Sequence, residues 1–180
     1  MKASYWLACL FAGYLSVVPT STAATANEIK QQLDAYLWNA AREGNNDVID
    51  TLIAGKYNLN VQDSQGYTAV ILAAYHGHST AVEKLLSAGA DPCIRDKRGN
   101  TALMGAIFKG EVRIARRLLA ASCNPDTPNN AGQTAAMYAS LFKRDELLAE
   151  LKAKGANMDA TDVNGNSASS LAEGVIHGQP

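Results

Sequence analysis

An all-α solenoid of stacked repeats is the fold class this sequence predicts, and three observations predict it. Thr68 to Asn100, Thr101 to Gln133 and Thr134 to Asn166 superimpose without a gap at a period of 33 residues, and self-similarity at such a spacing marks repeat architectures. In every copy a glycine (Gly66, Gly99, Gly132, Gly165) stands two residues before a hydroxyl side chain (Thr68, Thr101, Thr134, Ser167). Paired leucines, Leu85-Leu86 and Leu118-Leu119, recur at one offset and supply an apolar face that no single repeat can bury alone. With 180 residues, 47% of them apolar, the chain has material for one core.

The N-terminus departs from the repeat. Met1-Lys2 leads into an apolar run from Tyr5 to Val18, and small residues follow from Thr20 to Ala26. A basic start, an apolar middle and a small-residue end compose a secretory signal peptide. The run is shorter than the roughly 20 residues that span a bilayer, and Thr20-Ser21-Thr22 interrupts it. Residues 1–26 are therefore expected to be a signal cleaved after Ala26, with a cut after Ala23 as the alternative, leaving 27–180 as a single domain. Cys9 falls too early for lipid attachment and reads as an apolar signal residue.

The folded part follows in order. Asn27 to Asp34 extends the first helix of repeat one, 35–67, and covers that end of the stack. In that repeat Ala40-Ala41, Gly44, Ile49 and Leu52 fall under Ala73-Ala74, Gly77, Val82 and Leu85. Repeats two to four are 68–100, 101–133 and 134–166, and a partial fifth, 167–180, caps the other end with Leu171, Val175 and Ile176 turned inward. The turn glycines tolerate a positive φ at little cost. The hydroxyl two residues later can accept from the free N–H groups of a helix start. Alanine pairs let neighbouring first helices approach closely, and Ile107 and Ser140 interrupt that pairing.

These residues resemble the ankyrin repeat, whose pattern runs G-x-T-P-L-H-x-A-A-x-x-G, then a second helix with paired leucines, then G-A-D-x-N. The resemblance covers Ala35 to Ser167 and implies helix-turn-helix units joined by β-hairpin-like loops. Three departures stand out. Ala69, Ala102 and Ala135 replace the family's proline. Trp38, Ile71, Met104 and Met137 replace its histidine, so apolar packing is expected in place of a polar network. Lys143 takes the place of Gly44, Gly77 and Gly110, where a left-handed residue ends the first helix, at a cost of about 1 kcal/mol.

No nucleophile, base and donor constellation is present, and no cofactor or metal is expected. His76 and His78 flank Gly77 and do not converge on a metal without further ligands; His78 matches the family's Gly-His pair, and His177 belongs to a solvated tail. Cys93 and Cys123 lie 30 residues apart at different repeat positions near one edge of the stack. They are either two half-buried thiols or a disulfide, which needs a Cα separation under about 7 Å. Arg95, Lys97 and Arg98 fall at a hairpin tip, and Arg113, Arg116 and Arg117 on the solvated face of a second helix. A net charge of −1 and the lack of aromatic interleaving argue against nucleic acid and anionic membranes as partners.

Binding positions implied by the resemblance form a grid. At the tips it comprises Ser64, Gln65, Tyr67, Lys97, Arg98, Asn100, Asn130, Gln133, Asn164 and Asn166. On the first helices it comprises Arg42, Glu43, Tyr75, His76, Phe108, Lys109, Leu141 and Phe142. Aromatic and arginine residues on such a surface are enriched among interface hot spots. The expected function is a non-enzymatic protein-binding module in the periplasm, or secreted, whose partner is a cell-envelope protein. Resemblance to small exported bacterial ankyrin proteins implies an inhibitor or immunity protein that occludes a hydrolase. The alternatives are an accessory protein of catalase-linked peroxide defence and a thiol-redox protein using Cys93 and Cys123.

Overall fold

Nine helices arise among residues 25–178, the part of the chain that the computed structural model describes. They are α1 (Ala26–Glu43), α2 (Asn46–Ala54), α3 (Ala69–Tyr75), α4 (Ser79–Ser87), α5 (Ala102–Lys109), α6 (Val112–Leu119), α7 (Ala135–Leu141), α8 (Asp145–Ala153) and α9 (Ala168–Ala172). Hydroxyl side chains set their phase. Thr68 accepts from the Ile71 N–H, Thr101 from Met104, Thr134 from Met137 and Ser167 from Ser170, each as the residue before a first helix. The odd-numbered helices pack side by side in one layer and α2, α4, α6 and α8 in a second. Between the layers lies one continuous core containing Leu37, Ile49, Val82, Leu85, Ile107, Ile114, Leu147 and Leu151. The all-α repeat solenoid is therefore the observed architecture.

The small residues act as expected. Ala41, Ala73, Ala74 and Ala106 are fully buried where the first helices touch. Ile107 and Ser140, which interrupt the alanine pairing, are buried as well, and Ser140 Oγ donates to the Ala168 carbonyl at 2.8 Å. Of the residues at the histidine position, Ile71, Met104 and Met137 are buried and apolar, but Trp38 is half-buried and donates through Nε1 to the Val61 carbonyl at 3.1 Å.

Successive hairpins stack along the edge. Lys97 N–H donates to Gln65 O, Asn130 N–H to Arg98 O and Val163 N–H to Ala131 O, at 2.9–3.0 Å. Gly99 has φ +82°, and a Cβ there would stand 2.8 Å from the Asn130 nitrogen, so both the turn and the close approach require glycine. Lys143 keeps the left-handed geometry of the glycines it replaces, with φ 53°, at a cost of about 1 kcal/mol. Lys56 is a second such residue, with φ 52°, where the register elsewhere places Gly89 and Gly155.

Both ends of the stack differ from a plain repeat. At the N-terminal end Thr25 and Glu28 form a reciprocal capping box on α1. Asp34, buried against the second layer, accepts from the Tyr57 hydroxyl at 2.6 Å and pairs with Lys30 at 2.7 Å. Burial, then the Asp34 hydrogen bond and charge, push the Tyr57 pKa up to about 12. At the C-terminal end only Leu171 turns inward; Val175 and Ile176 are 44% and 50% exposed. α9 stops at Ala172, so these two follow a turn at Gly174 and leave the helix face that would have buried them. Asn166 holds the tail instead, accepting from His177 N–H at 2.6 Å and donating to its carbonyl at 3.3 Å. Residues 1–24, most of the stretch expected to be a signal peptide and including Cys9, and Gln179-Pro180 lie outside the described residues.

Cys93 and Cys123 form a disulfide with Cα atoms 5.5 Å apart, which corrects the reading of two half-buried thiols. The register explains the pairing. Cys93 occupies the position of Asn60 and Asp126, and both of those side chains reach the following repeat: Asn60 accepts from Asp91 N–H and Asp126 from Asn157 N–H, each at 2.8 Å. At the interface between repeats two and three the loop-to-loop hydrogen bond is replaced by a covalent one.

Candidate protein-binding groove

Leu72, Gly105 and Tyr138 each stand four places after the cap of their first helix, and Asn39 holds the same register position in α1. Gly105 costs α5 about 1 kcal/mol in helix propensity relative to alanine. It lines a groove of about 380 Å³ between the helices and the hairpins. Buried Ile71, Leu72 and Met104 make the floor.

One wall is an aromatic ladder. Tyr75 and Phe108, both two places before the glycine that closes their helix turn, lie nearly parallel with centroids 6.2 Å apart. Phe142 meets Phe108 edge-on at 5.0 Å, and Tyr138 follows at 6.0 Å from Phe142. Such pairs hold one another in place. Tyr75 and Phe108 remain 39% and 42% exposed, a large apolar surface that the core does not use.

The opposite wall comes from the hairpins. Tyr67 stands half-buried beside exposed Arg98. Asp96 shapes that tip by accepting from the Arg98 and Asn100 N–H groups, both at 2.8 Å. Asn100 is a positioning residue: its Oδ1 accepts from Asn129 Nδ2 at 2.9 Å and from the Tyr138 hydroxyl at 3.2 Å. Burial raises the Tyr138 pKa, so its hydroxyl stays protonated and donates at neutral pH.

Cations gather at the rim. Lys109 Nζ lies 5.0 Å over the Tyr75 ring, and Arg42 pairs with Asp63 at 2.7 Å. Burial, followed by the charges of His78, Arg42 and Lys109, holds the His76 pKa below its usual value. His78 is structural. Its Nε2–H donates to the Arg42 carbonyl at 2.8 Å, and its ring fills the space beside Gly44.

The structure thus brings together Tyr67, Tyr75, His76, Arg98, Asn100 and Phe108, with Arg42, around one groove, and Lys109 and Phe142 flank it. Ser64, Gln65, Lys97 and Asn130 are exposed on the hairpin tips outside it; Asn130 donates to the Lys97 carbonyl at 2.8 Å. Gln133 and Leu141 line a separate hollow at the C-terminal end with Asn164, Ile176 and His177. Glu43 is exposed at the end of α1. Asn166, expected on the binding surface, is buried at 5% because it holds the Asp162 hairpin and the tail. The sequence reading missed Tyr138, Met104 and Gly105; the signal for Tyr138 and Gly105 was the variable position four places after the cap.

The opposite face is built differently. Arg116 on α6 pairs with Glu146 and Glu150 on α8, and Arg117 with Glu83 on α4, all at 2.7 Å. These exposed pairs link neighbouring second helices and spend their charge within the molecule. Among the described residues no trio of His, Cys, Asp or Glu is placed to hold a metal, and no helix is long and apolar enough to cross a membrane.

Comparison with known proteins agrees with this geometry. A family profile described as ankyrin repeats (3 copies) matches at residues 6–96, 37–129 and 79–162. No curated protein matches the chain. With the profile covering most of the sequence and the helix pairs stacked as its repeats require, the chain belongs to the ankyrin-repeat family, a family of protein–protein interaction modules.

Proposed function

We propose that this protein is an exported, non-enzymatic module that docks its groove on a protein of the cell envelope and blocks that protein's working surface, as an inhibitor or immunity protein does. The observation that carries this reading is the ladder of exposed Tyr75 and Phe108 with half-buried Phe142, beside Arg98. Aromatic and arginine side chains of this kind anchor interfaces. The helices beneath are rigidly packed, so little ordering cost remains for the bound state. Bait made from the whole chain is expected to retain an envelope protein from a periplasmic extract. Tyr75→Ala with Phe108→Ala should weaken that complex about a hundredfold while thermal unfolding stays cooperative. Unchanged affinity in the double variant would overturn the assignment of the groove.

Export is supported by the basic, apolar and small-residue order of the N-terminus and by the Cys93–Cys123 disulfide, a bond that persists in oxidising compartments. The α1 cap bears on where the signal is cut. A cut after Ala26 removes Thr25, whose cap is worth about 1 kcal/mol, whereas a cut after Ala23 keeps the Thr25–Glu28 box intact. The intact mass of the exported chain is expected to correspond to a start at Ala24; a start at Asn27 would show that the cap is dispensable.

A further inference from the structure

We infer that the groove over Gly105 selects an acidic segment of its partner, one that places a large apolar side chain between carboxylates. This rests on the groove being the docking site, and it adds the chemistry of the occupant.

The apolar half of the inference comes from shape. Gly105 leaves space in the lining, where an added Cβ would meet Tyr75 Cδ2 at 3.8 Å, and Phe108, Met104 and Ile71 line the same depression. At about 380 Å³ it has room for a bulky apolar side chain together with part of the segment that carries it. A helix that gives up a side chain at this point, with two aromatic rings stacked beside the gap, presents a socket.

The acidic half comes from the bookkeeping of charge around the rim. Asp96, the carboxylate in the groove lining, and Asp63, the partner of Arg42, are already engaged. Asp63 accepts from the Gln65 and Tyr67 N–H groups and pairs with Arg42; Asp96 accepts from the Arg98 and Asn100 N–H groups and from the Asn100 amide. The cations are not balanced in the same way. Among the described residues Arg98 and Lys109 make no ion pair, although Lys109 rests over Tyr75.

On the back of the solenoid Lys84, Arg116 and Arg117 are matched with Asp50, Glu146, Glu150 and Glu83, while among the described residues Arg113 makes no ion pair. In the groove lining Arg42 and Arg98 stand against one carboxylate, Asp96, so a chain with a net charge of −1 carries a local positive excess there. Complementary charge across an interface speeds encounter and rejects partners of the wrong sign.

The test uses the isolated, disulfide-bonded protein and three synthetic peptides: phenylalanine centred between glutamates, phenylalanine centred between lysines, and alanine centred between glutamates. Amide chemical shifts are followed during titration. The acidic phenylalanine peptide is expected to bind at least about tenfold more tightly than either of the others, with shifts centred on Tyr75, Arg98 and Gly105. Arg98→Glu with Lys109→Glu should reverse the preference between acidic and basic peptides. Arg113→Glu, a charge change on the exposed back of α6, should leave it intact. Equal binding of the acidic and basic phenylalanine peptides with shifts still at Gly105 would overturn the charge selectivity while leaving the docking groove standing. Absence of shifts at Gly105 with every peptide, or concentration-dependent self-association through Phe108, would overturn the inference altogether.

Discussion

Replacing Cys93 and Cys123 together by serine is expected to lower the unfolding free energy by about 3.6 kcal/mol, the loop-closure contribution of a cross-link that encloses some 30 residues. For a domain of this size that corresponds to a fall in Tm of about 7–14 °C. The loss should be large because the bond ties two repeats rather than two points of one. Its positional equivalents, Asn60 and Asp126, tie their neighbours by single hydrogen bonds to backbone N–H groups, each worth about 1 kcal/mol. Thermal unfolding of the double variant beside the oxidised and reduced native protein checks this. The variant and the reduced protein should unfold at similar temperatures, well below the oxidised form. Identical midpoints for oxidised and reduced protein would show that the cross-link adds nothing to the stacking of repeats two and three.

Leu85→Ala is the second change with a large expected effect. Leu85 is fully buried in α4, the helix that packs against both α2 and α6. Truncation removes a buried side chain and leaves a cavity between packed helices, at a cost of about 3 kcal/mol. In a solenoid each repeat is stabilised by its neighbours, so damage to α4 weakens two interfaces at once. Its sequence neighbour Leu86 is only half-buried, and Leu86→Ala should cost less in proportion to the area lost. Urea unfolding gives both values from one kind of experiment. Equal costs for the two leucines would mean that the paired positions share the core equally, contrary to their burial.

The period made the scaffold legible because each recurring residue answers a local requirement. Thr68, Thr101 and Thr134 cap because a hydroxyl at a helix start does so wherever it stands. The turn glycines and the alanine pairs are set by backbone conformation and by helix separation, and both repeat with the sequence. The parts that stayed hidden depend on the step from one repeat to the next. Cys93 and Cys123 hold different positions in the register, and only the stacking brings a loop residue of repeat two beside a residue of repeat three that the register aligns with Ala90. Val175 and Ile176 looked like core residues by type, but the early end of α9 sets them outside it.

The site was legible to a similar degree. Tyr75 and Phe108 were identified because the repeat does not need aromatic rings where they stand. Asn166 and Asn100 follow from the same register, yet their side chains are consumed by hydrogen bonds within the protein, Asn166 to Asp162 and the tail, Asn100 to Asn129 and Tyr138. Tyr138 and Gly105 were missed because neither matters to the scaffold. Their importance comes from one being large and the other absent across the same groove.

The claim on which the function rests is that a partner sits in this groove. The most direct measurement is the footprint of the captured partner on the isotopically labelled protein, read as amide shifts and protection from hydrogen exchange. Changes centred on Tyr67, Tyr75, Arg98, Gly105 and Phe108, with the α4–α6–α8 face unchanged, are the expected result. A footprint on Arg113, Arg116 and Arg117, with Tyr75 and Phe108 unaffected, would place the interface on the back of the solenoid and contradict the account.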